Sequence, residues 1–243
     1  MNKKKMIGTF SLNTCPIITE IISRKLDFVI LDREHGPYGY FETNVLNKIV
    51  KNNAMSFIRV SNLEKIEIQR CLDLNPHGIL VPQISSYEDA RLAIEYTFFS
   101  PVGKRGVSPY TAAFSYHHSD SEKKKSNINN NLFLGLLIEG KEGLDSLEKI
   151  LKKLNRHISL IYFGLYDFAS SLGLKPDWKD KELVKALSNI IKLCKKNRVR
   201  VGTIARDFTE ISFLKKIGIN FICFQNDTGI IHEAFEKINK HSK

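Results

Sequence analysis

The sequence contains no hydrophobic run long enough to cross a membrane. Its longest apolar stretch, around Ile158 to Tyr166, is far shorter than the roughly 20 residues that a transmembrane helix needs. The amino terminus begins MNKKK and lacks the apolar segment and the small-residue cleavage site of a secretory signal. We therefore expect a cytoplasmic protein without a membrane partner.

Cysteine is scarce and scattered. The four residues, Cys15, Cys71, Cys194 and Cys223, show no CxxC or other metal-ligand spacing. This distribution predicts free thiols in a reducing compartment rather than a disulfide framework or a zinc site. No activating pattern surrounds any of the four, so a cysteine nucleophile is not expected.

Acidic residues are too few to balance the basic ones. The chain has 26 Asp and Glu and 37 Lys and Arg, which gives a net charge of +11. Such an excess suits nucleic acid, an anionic membrane or anionic small substrates. The basic residues form short clusters, such as Lys123–Lys125 and Lys195/Lys196, in polar or amphipathic surroundings. No helix-turn-helix, zinc-finger or aromatic RNA-binding motif accompanies them. We interpret the charge as a lysine-rich surface and predict no nucleic-acid partner.

The dominant pattern is a short apolar run followed by an amphipathic helical stretch. The predicted strands are Ile7–Leu12, Phe28–Asp32, Met55–Val60, Gly78–Val81, Leu132–Ile138, Ser159–Phe163, Val199–Ile204 and Phe221–Phe224. The predicted helices lie near Ile17–Lys25, Phe41–Asn52, Glu64–Leu74, Tyr87–Phe98, Leu144–Leu154, Leu183–Lys196, Glu210–Ile217 and Ile230–Asn239. The strands are near-continuous apolar runs, which is typical of parallel strands buried on both faces.

Eight strands alternating with helices predict an α/β fold, a (β/α)8 TIM barrel that spans residues 1–243 as one domain. The rival fold is a doubly wound open sheet, but GTFSLNTCP does not supply its glycine-rich fingerprint after the first strand. From Ser100 to Asn131 the chain is rich in turn formers without periodicity, which predicts a long loop over one end of the barrel. Within it, His117 and His118 are expected to be bystanders.

Polar residues at carboxyl strand ends are the candidates for chemistry, because active sites of such barrels lie there. The second strand ends in FVILDREHGPY, and an Asp32 near His35 could fix the tautomer of a general base. Arg59 ends the third strand, where its planar cation suits a carboxylate or an enolate. The alternatives are an exposed His35 without function and a structural ion pair at Arg59.

Two carboxylates follow neighbouring strands. Glu139 leaves the run LFLGLLIEG, and Asp167 follows LIYFG; together they could hold a hard divalent cation with positions open for substrate oxygens. The alternative for Asp167 is an N-cap of a helix that starts at Ala169. Gln83 could reach the site, and Arg105 could hold its loop in place or contact an anion, although a scaffold role suits both residues better.

The motifs LDREHGP, IRV, GILVPQ, SPVGKRG, LIEG and GLYDFASSLG occur in an order that resembles the HpcH/HpaI family of class II aldolases. The resemblance runs from about Ile7 to at least Gly173. It implies a barrel that binds Mg, Mn or Co through Glu139 and Asp167 and that cleaves or forms a carbon–carbon bond next to a 2-oxo acid such as pyruvate, with an aldehyde as partner. It also implies homo-oligomers, trimers or hexamers, whose C-terminal helix packs on a neighbouring subunit.

The same resemblance assigns roles to individual residues. His35 is implied as the general base, oriented by Asp32, and Arg59 as the group that stabilises the enolate. Tyr166, Asp167, Gln83 and Arg59 are the predicted substrate-binding residues. We expect the aldehyde to be contacted by the segment from Ser100 to Asn131, with a neighbouring subunit as a further source of contacts.

This chain departs from the family pattern in three places, one of which is Leu72–Ile79, where the family has a glycine-rich segment. Leu137 stands where the family often has Gln, and Tyr166 where it has a small residue beside the substrate carboxylate. Two alternatives to the aldolase therefore stay open. One is an acyl-CoA lyase of the citrate-lyase type, and the other is a barrel without turnover that serves in binding or assembly.

Overall fold

Eight parallel strands close into a barrel in the computed structural model, which describes residues 5–241. The strands are β1 (Met6–Ser11), β2 (Phe28–Asp32), β3 (Met55–Arg59), β4 (Gly78–Val81), β5 (Phe133–Ile138), β6 (Leu160–Phe163), β7 (Arg200–Ala205) and β8 (Phe221–Asn226). Each pairs with its neighbour in sequence, and β8 pairs with β1. The predicted (β/α)8 TIM barrel is confirmed, and each predicted strand overlaps an observed one.

Helices surround the strands. They are α1 (Pro16–Ser23), α2 (Tyr40–Lys51), α3 (Lys65–Asp73), α4 (Tyr87–Thr97), α5 (Ser121–Asn131), α6 (Lys141–Leu154), α7 (Leu165–Ser171), α8 (Lys181–Asn197), α9 (Phe208–Ile217) and α10 (Asp227–His241). The apolar stripes of several of them cover the outer face of the sheet, as in α6, where Leu147, Ile150 and Leu151 are buried. Among the described residues, no helix is long and apolar enough to span a membrane.

The inside of the barrel has a separate apolar core. At its N-terminal end the rings of Phe28, Phe57, Phe133 and Phe221 pack together, with the Phe28 and Phe221 centroids 3.9 Å apart. Three of these rings belong to the first residues of their strands, so their layer lies at the bottom of the barrel. Burying such a ring stabilises the fold by roughly 2–3 kcal/mol. The layer therefore closes the N-terminal end of the barrel with a stable apolar core.

The segment between α4 and β5 differs from the prediction in two respects. It is irregular only as far as residue 120, apart from a 3₁₀ turn at Ala112–Phe114, and then forms α5. It also connects the C-terminal end of a helix to the N-terminal end of a strand, so it lies at the end of the barrel opposite the active-site rim. The expectation that it contacts the aldehyde is therefore wrong for the site of the same chain.

Arg105 holds this segment in place. Its guanidinium is buried, lies 2.8 Å from Asp73 at the end of α3, and stacks over the Phe99 ring at 4.5 Å. Of the two predicted roles of Arg105, the structure supports the one in which this residue holds its loop in place. His117 and His118 are exposed on the same segment and stack on one another.

Candidate active site

The seven predicted site residues meet at the carboxyl ends of the strands. Two adjoining cavities of about 360 and 290 Å³ open there, and His35, Glu139 and Asp167 line both. Gln83 lines the first cavity, and the second is lined also by Asp32, Arg59 and Tyr166. Strand ends from β2 to β6 therefore supply all of them to one face of the barrel, as the parallel topology requires.

Arg59 and Asp32 form a bidentate ion pair within the mouth of the barrel. They are register partners on β3 and β2, and Arg59 Nε donates to Asp32 Oδ1 at 2.8 Å while Nη2 donates to Oδ2 at 2.5 Å. Glu34 Oε2 lies 2.9 Å from Nη1. The Phe10 ring lies beneath the guanidinium, 4.8 Å from its carbon. The cation is thus fixed in position and orientation, and the structural ion pair is also part of the site.

Asp32 shapes the turn that carries His35. Its Oδ1 accepts hydrogen bonds from the backbone N–H groups of Glu34 at 3.1 Å and His35 at 3.3 Å. Its backbone carbonyl accepts a hydrogen bond from the Gly36 N–H at 2.8 Å. Within residues 5–241, no hydrogen bond of Asp32 reaches the His35 ring, which is exposed. Asp32 therefore positions His35 through the backbone; the orientation of its imidazole by Asp32 stays a prediction.

Glu139 is the most strongly perturbed carboxyl group of the site. It follows β5 directly, and its Oε2 accepts the Gln83 backbone N–H at 2.6 Å. Burial raises its pKa to about 7, and the negative charges of Glu34 and Asp167 add to this, while the Gln83 N–H and Arg59 work in the opposite direction. A nearby positive charge would stabilise the ionised form of Glu139 and lower this pKa.

Gly164 makes room for that carboxylate. A Cβ atom at this position would lie 2.6 Å from Glu139 Cγ and 3.0 Å from its Oε1, which real structures do not tolerate without displacement. Gly164 also serves as the N-cap of α7, and Asp167 occupies the first turn of this helix. The helix begins at Leu165 rather than Ala169, so the alternative role of Asp167 as its N-cap is wrong.

Gln83 connects two carboxylates of the site. Its backbone is in the left-handed region, with φ of 58°, which costs a non-glycine residue roughly 1–2 kcal/mol. In this conformation the N–H reaches Glu139 and the side-chain Nε2 donates to Glu34 Oε1 at 3.2 Å. Burial raises the pKa of Glu34, against the lowering effect of Arg59 and His35.

Sequence reasoning missed part of the wall. Gln225 and Asn226, at the end of β8, line the second cavity together with Tyr166, which is 49% exposed. The prediction ended this strand at Phe224, although two polar residues after an apolar run are the same signal that identified the other strand ends. Tyr162 also lines this cavity, next to Leu137 in register.

The donor set of the site fits a hard divalent cation. No group of three or more His, Cys, Asp or Glu side chains arranged for a metal is found in the described part of the chain. Glu139 and Asp167 supply two carboxylates, however, and Mg²⁺ or Mn²⁺ is commonly held by one or two carboxylates together with water and substrate oxygens. The raised pKa of Glu139 agrees with this, because a cation would relieve the like charges around it.

Comparison with known proteins covers almost the whole chain. The model of the HpcH/HpaI aldolase/citrate lyase family matches residues 7–232. A 5-keto-4-deoxy-D-glucarate aldolase of Escherichia coli (strain K12) is 26% identical over 238 residues, which are 97% of this chain and 91% of the relative.

Solved structures share the fold. An HpcH/HpaI aldolase from Desulfitobacterium hafniense DCB-2 superposes with a TM-score of 0.91 at 22% identity, covering 99% of this chain and 93% of the other. The protein CitE from Mycobacterium tuberculosis, in complex with magnesium and acetoacetate, has a TM-score of 0.59 at 12% identity, covering 94% and 88%. From the family match and the site together, the chain belongs to the HpcH/HpaI aldolase/citrate lyase family and is a carbon–carbon lyase.

Proposed function

We propose that this lyase is a divalent-metal-dependent aldolase that cleaves or forms a 4-hydroxy-2-oxo acid. Pyruvate or a similar 2-oxo acid is the enolate component, and an aldehyde is its partner. The observation that carries the proposal is the shared cavity, where two carboxylates, Glu139 and Asp167, face the fixed guanidinium of Arg59 and the exposed imidazole of His35.

Glu139 and Asp167 would hold the metal, for which Mg, Mn and Co are the candidates. When bound, such a cation polarises the 2-oxo group and offsets negative charge that develops on its oxygen. CitE, which shares the fold, was solved with magnesium. The Gln83 backbone N–H keeps Glu139 directed into the cavity, and Gly164 leaves space for it.

Arg59 stabilises the enolate. Two of its five N–H groups donate to Asp32, Nη1 lies against Glu34, and the guanidinium lines the cavity. Because Asp32 and Glu34 hold the guanidinium in advance, it needs no reorganisation when charge appears on the 2-oxo oxygen.

His35 handles the proton. In the cleavage direction it accepts the proton of the 4-hydroxyl group, directly or through a water, while the bond between C3 and C4 breaks and its electron pair forms the enolate. The aldehyde leaves, and protonation of the enolate at C3 gives the 2-oxo acid. The exposure of His35 suits a group that must exchange protons with solvent.

Exchange of the pyruvate methyl protons with deuterium tests this proposal without knowledge of the aldehyde. We expect NMR to show exchange with Mg²⁺ or Mn²⁺ and its loss in chelator, and Glu139→Gln to lower it by roughly 10²-fold or more. Exchange that persists in chelator would overturn the metal role. Stabilisation by acyl-CoA but not by pyruvate would favour the acyl-CoA lyase, and absence of metal and 2-oxo acid binding would favour a barrel without turnover.

We also propose a homo-oligomer in which α10 packs on a neighbouring subunit. Residues 232–241 of this helix are exposed throughout, including Phe235 at 66% and Ile238 at 64%. On α1, Ile17 and Ile21 expose a second apolar strip, one turn apart. Apolar strips of this kind on two helices are best explained by burial between copies of the chain.

A further inference from the structure

A buried tyrosine in the wall of the second cavity carries an unpaired hydroxyl. Tyr162 lies on β6, is 3% exposed, and lines this cavity together with Arg59 and Glu139. Its hydroxyl oxygen is buried and makes no hydrogen bond within residues 5–241. Buried polar groups of folded proteins are nearly always paired, so an unpaired hydroxyl beside a cavity points to a partner that binds there.

The ring of Tyr162 is held from several sides. The Phe10 ring meets it edge-on at a centroid distance of 5.8 Å, and Leu137 is its register partner on β5. Gly202 is the register partner on β7, and a Cβ atom there would lie 3.0 Å from Tyr162 Cδ2, so the absence of a side chain leaves space for the ring. Phe10 also lies beneath the Arg59 guanidinium. The tyrosine therefore belongs to the same packed group as Arg59.

The hydroxyl is available as a donor. Burial raises the pKa of Tyr162 well above its usual value, and the Cys223 thiol on β8 adds to this. The charges of Arg59 and Glu139 also act on this pKa, in opposite directions. A thiol is only a weak hydrogen-bonding group, so Cys223 does not satisfy the hydroxyl. At neutral pH Tyr162 is protonated and can donate to a ligand in the cavity.

Packing alone does not require the hydroxyl. Phenylalanine would fill nearly the same space, and burial of a hydroxyl without a partner destabilises a fold. The inner core of this barrel uses phenylalanine at other positions, such as Phe10, Phe57 and Phe221. A polar group that is kept in such surroundings is typical of a site that contacts a ligand.

From this geometry we propose that Tyr162 is a second donor, beside Arg59, to the oxygen atom on which the enolate charge develops. Its O–H donates a hydrogen bond to the 2-oxo oxygen of the substrate. Two donors that are fixed before the charge appears stabilise it without reorganisation. Tyr162 keeps its proton throughout, and His35 remains the group that accepts the proton of the 4-hydroxyl group. The inference rests on the proposed aldolase function and adds a residue to it.

Tyr162→Phe removes one oxygen atom and tests the proposal in the protein loaded with Mg²⁺. Exchange of the pyruvate methyl protons at saturating pyruvate should slow by roughly tenfold or more, while the KM for pyruvate changes by less than about threefold. Calorimetry should show that oxalate, a planar mimic of the enolate, binds roughly fivefold more weakly or worse. Tyr110→Phe makes the same change at an exposed tyrosine and is the matched control, which should alter each quantity by less than about twofold.

Thermal unfolding without ligand separates this role from a structural one. Because an unpaired hydroxyl is removed, the unfolding temperature of Tyr162→Phe should equal or exceed that of the natural chain. Tyr38→Phe is the control for stability. The buried Tyr38 hydroxyl accepts a hydrogen bond from the Asp32 N–H and donates to the Ser11 carbonyl at 2.6 Å, so its loss should lower the unfolding temperature by about 2–4 °C.

An unchanged exchange rate at saturating pyruvate, or an unchanged oxalate affinity, would overturn the role of Tyr162. A fall in the unfolding temperature of Tyr162→Phe that matches that of Tyr38→Phe would also overturn it. The proposed function fails separately, if the natural chain shows no exchange at all. Weaker oxalate binding by Tyr162→Phe would then still support its contact with a ligand oxygen, whereas a natural chain that binds no oxalate would overturn that contact.

Discussion

At the residue scale, the site depends on charges that are buried in pairs. Asp32 is 1% exposed and Arg59 8%, and each satisfies the other through two hydrogen bonds. Removal of one member of such a pair leaves an uncompensated buried charge, which costs more than the pair itself contributes. The same pair positions the His35 turn, so the stability of the fold and the proposed catalysis depend on the same residues.

Asp32→Ala is therefore expected to lower the free energy of unfolding by about 3–5 kcal/mol. Urea denaturation followed by circular dichroism measures this. The control is Glu20→Ala, which removes the partner of Arg24 from an exposed i,i+4 pair and should cost less than about 1 kcal/mol. Similar losses in both variants would contradict a special role of the buried pair.

A second buried acid gives a pH dependence. Glu67 accepts from Arg33 at 2.9 Å and from the Tyr40 hydroxyl, and although burial opposes ionisation, these donors lower its pKa to about 2. Because the pKa in the folded state is below the ordinary 4.5, ionised Glu67 stabilises the fold above pH 4.5, and this stabilisation is lost as the pH falls toward 2.

Glu67→Gln should accordingly lower the free energy of unfolding by about 2 kcal/mol at pH 7, the scale of a hydrogen bond to a charged group. The difference from the natural chain should shrink between pH 4.5 and about 2. Denaturation curves across this range provide the measurement, and a difference that is independent of pH would show that Glu67 acts by packing alone.

At the element scale, the junction of β6 and α7 decides how Glu139 is held. The chain turns from strand to helix at Gly164, and this close approach leaves no space for a side chain. A short element thus positions two carboxylates at once, because Asp167 belongs to the same first turn.

Gly164→Ala should displace Glu139 and weaken Mg²⁺ or Mn²⁺ binding by roughly 10–100-fold, the usual effect of disturbing the support of a metal ligand. Calorimetric titration with each metal measures it. Gly140→Ala is the matched control on the other side of Glu139, since its Cβ would meet only the flexible Glu142 carboxylate at 3.2 Å. Normal metal affinity in Gly164→Ala would contradict the assigned ligand.

The strands could be predicted from the sequence because each is a short apolar run with a polar end, and the polar ends also identified most of the site. The helix α5 could not, because SEKKKSNINNN has no apolar periodicity and none of its residues is buried. Long-range contacts hold it instead: the Asn129 side chain bonds both backbone groups of Phe99 at 2.9 Å. Likewise, nothing local shows that Glu34 joins Arg59 to Gln83, because that link exists only in three dimensions.

At the scale of the whole molecule, the two ends of the barrel differ in chemistry and α10 extends beyond the body of the chain. If α10 packs on a neighbouring subunit, Phe235→Glu with Ile238→Glu should dissociate the oligomer, since two exposed apolar anchors are replaced by charges. Light scattering after size-exclusion chromatography gives the mass. Phe208→Glu, at an even more exposed phenylalanine on α9, is the control and should leave the mass unchanged. A natural chain that is already monomeric would refute the proposed assembly.

The four phenylalanine rings at the base of the barrel have a kinetic consequence. They fill the barrel axis at its N-terminal end, and within residues 5–241 the two cavities of the candidate site open at the carboxyl ends of the strands. We therefore expect the product that lies deeper in the barrel to leave after the outer one. Measurements of product inhibition should then give the pattern of a sequential ordered mechanism.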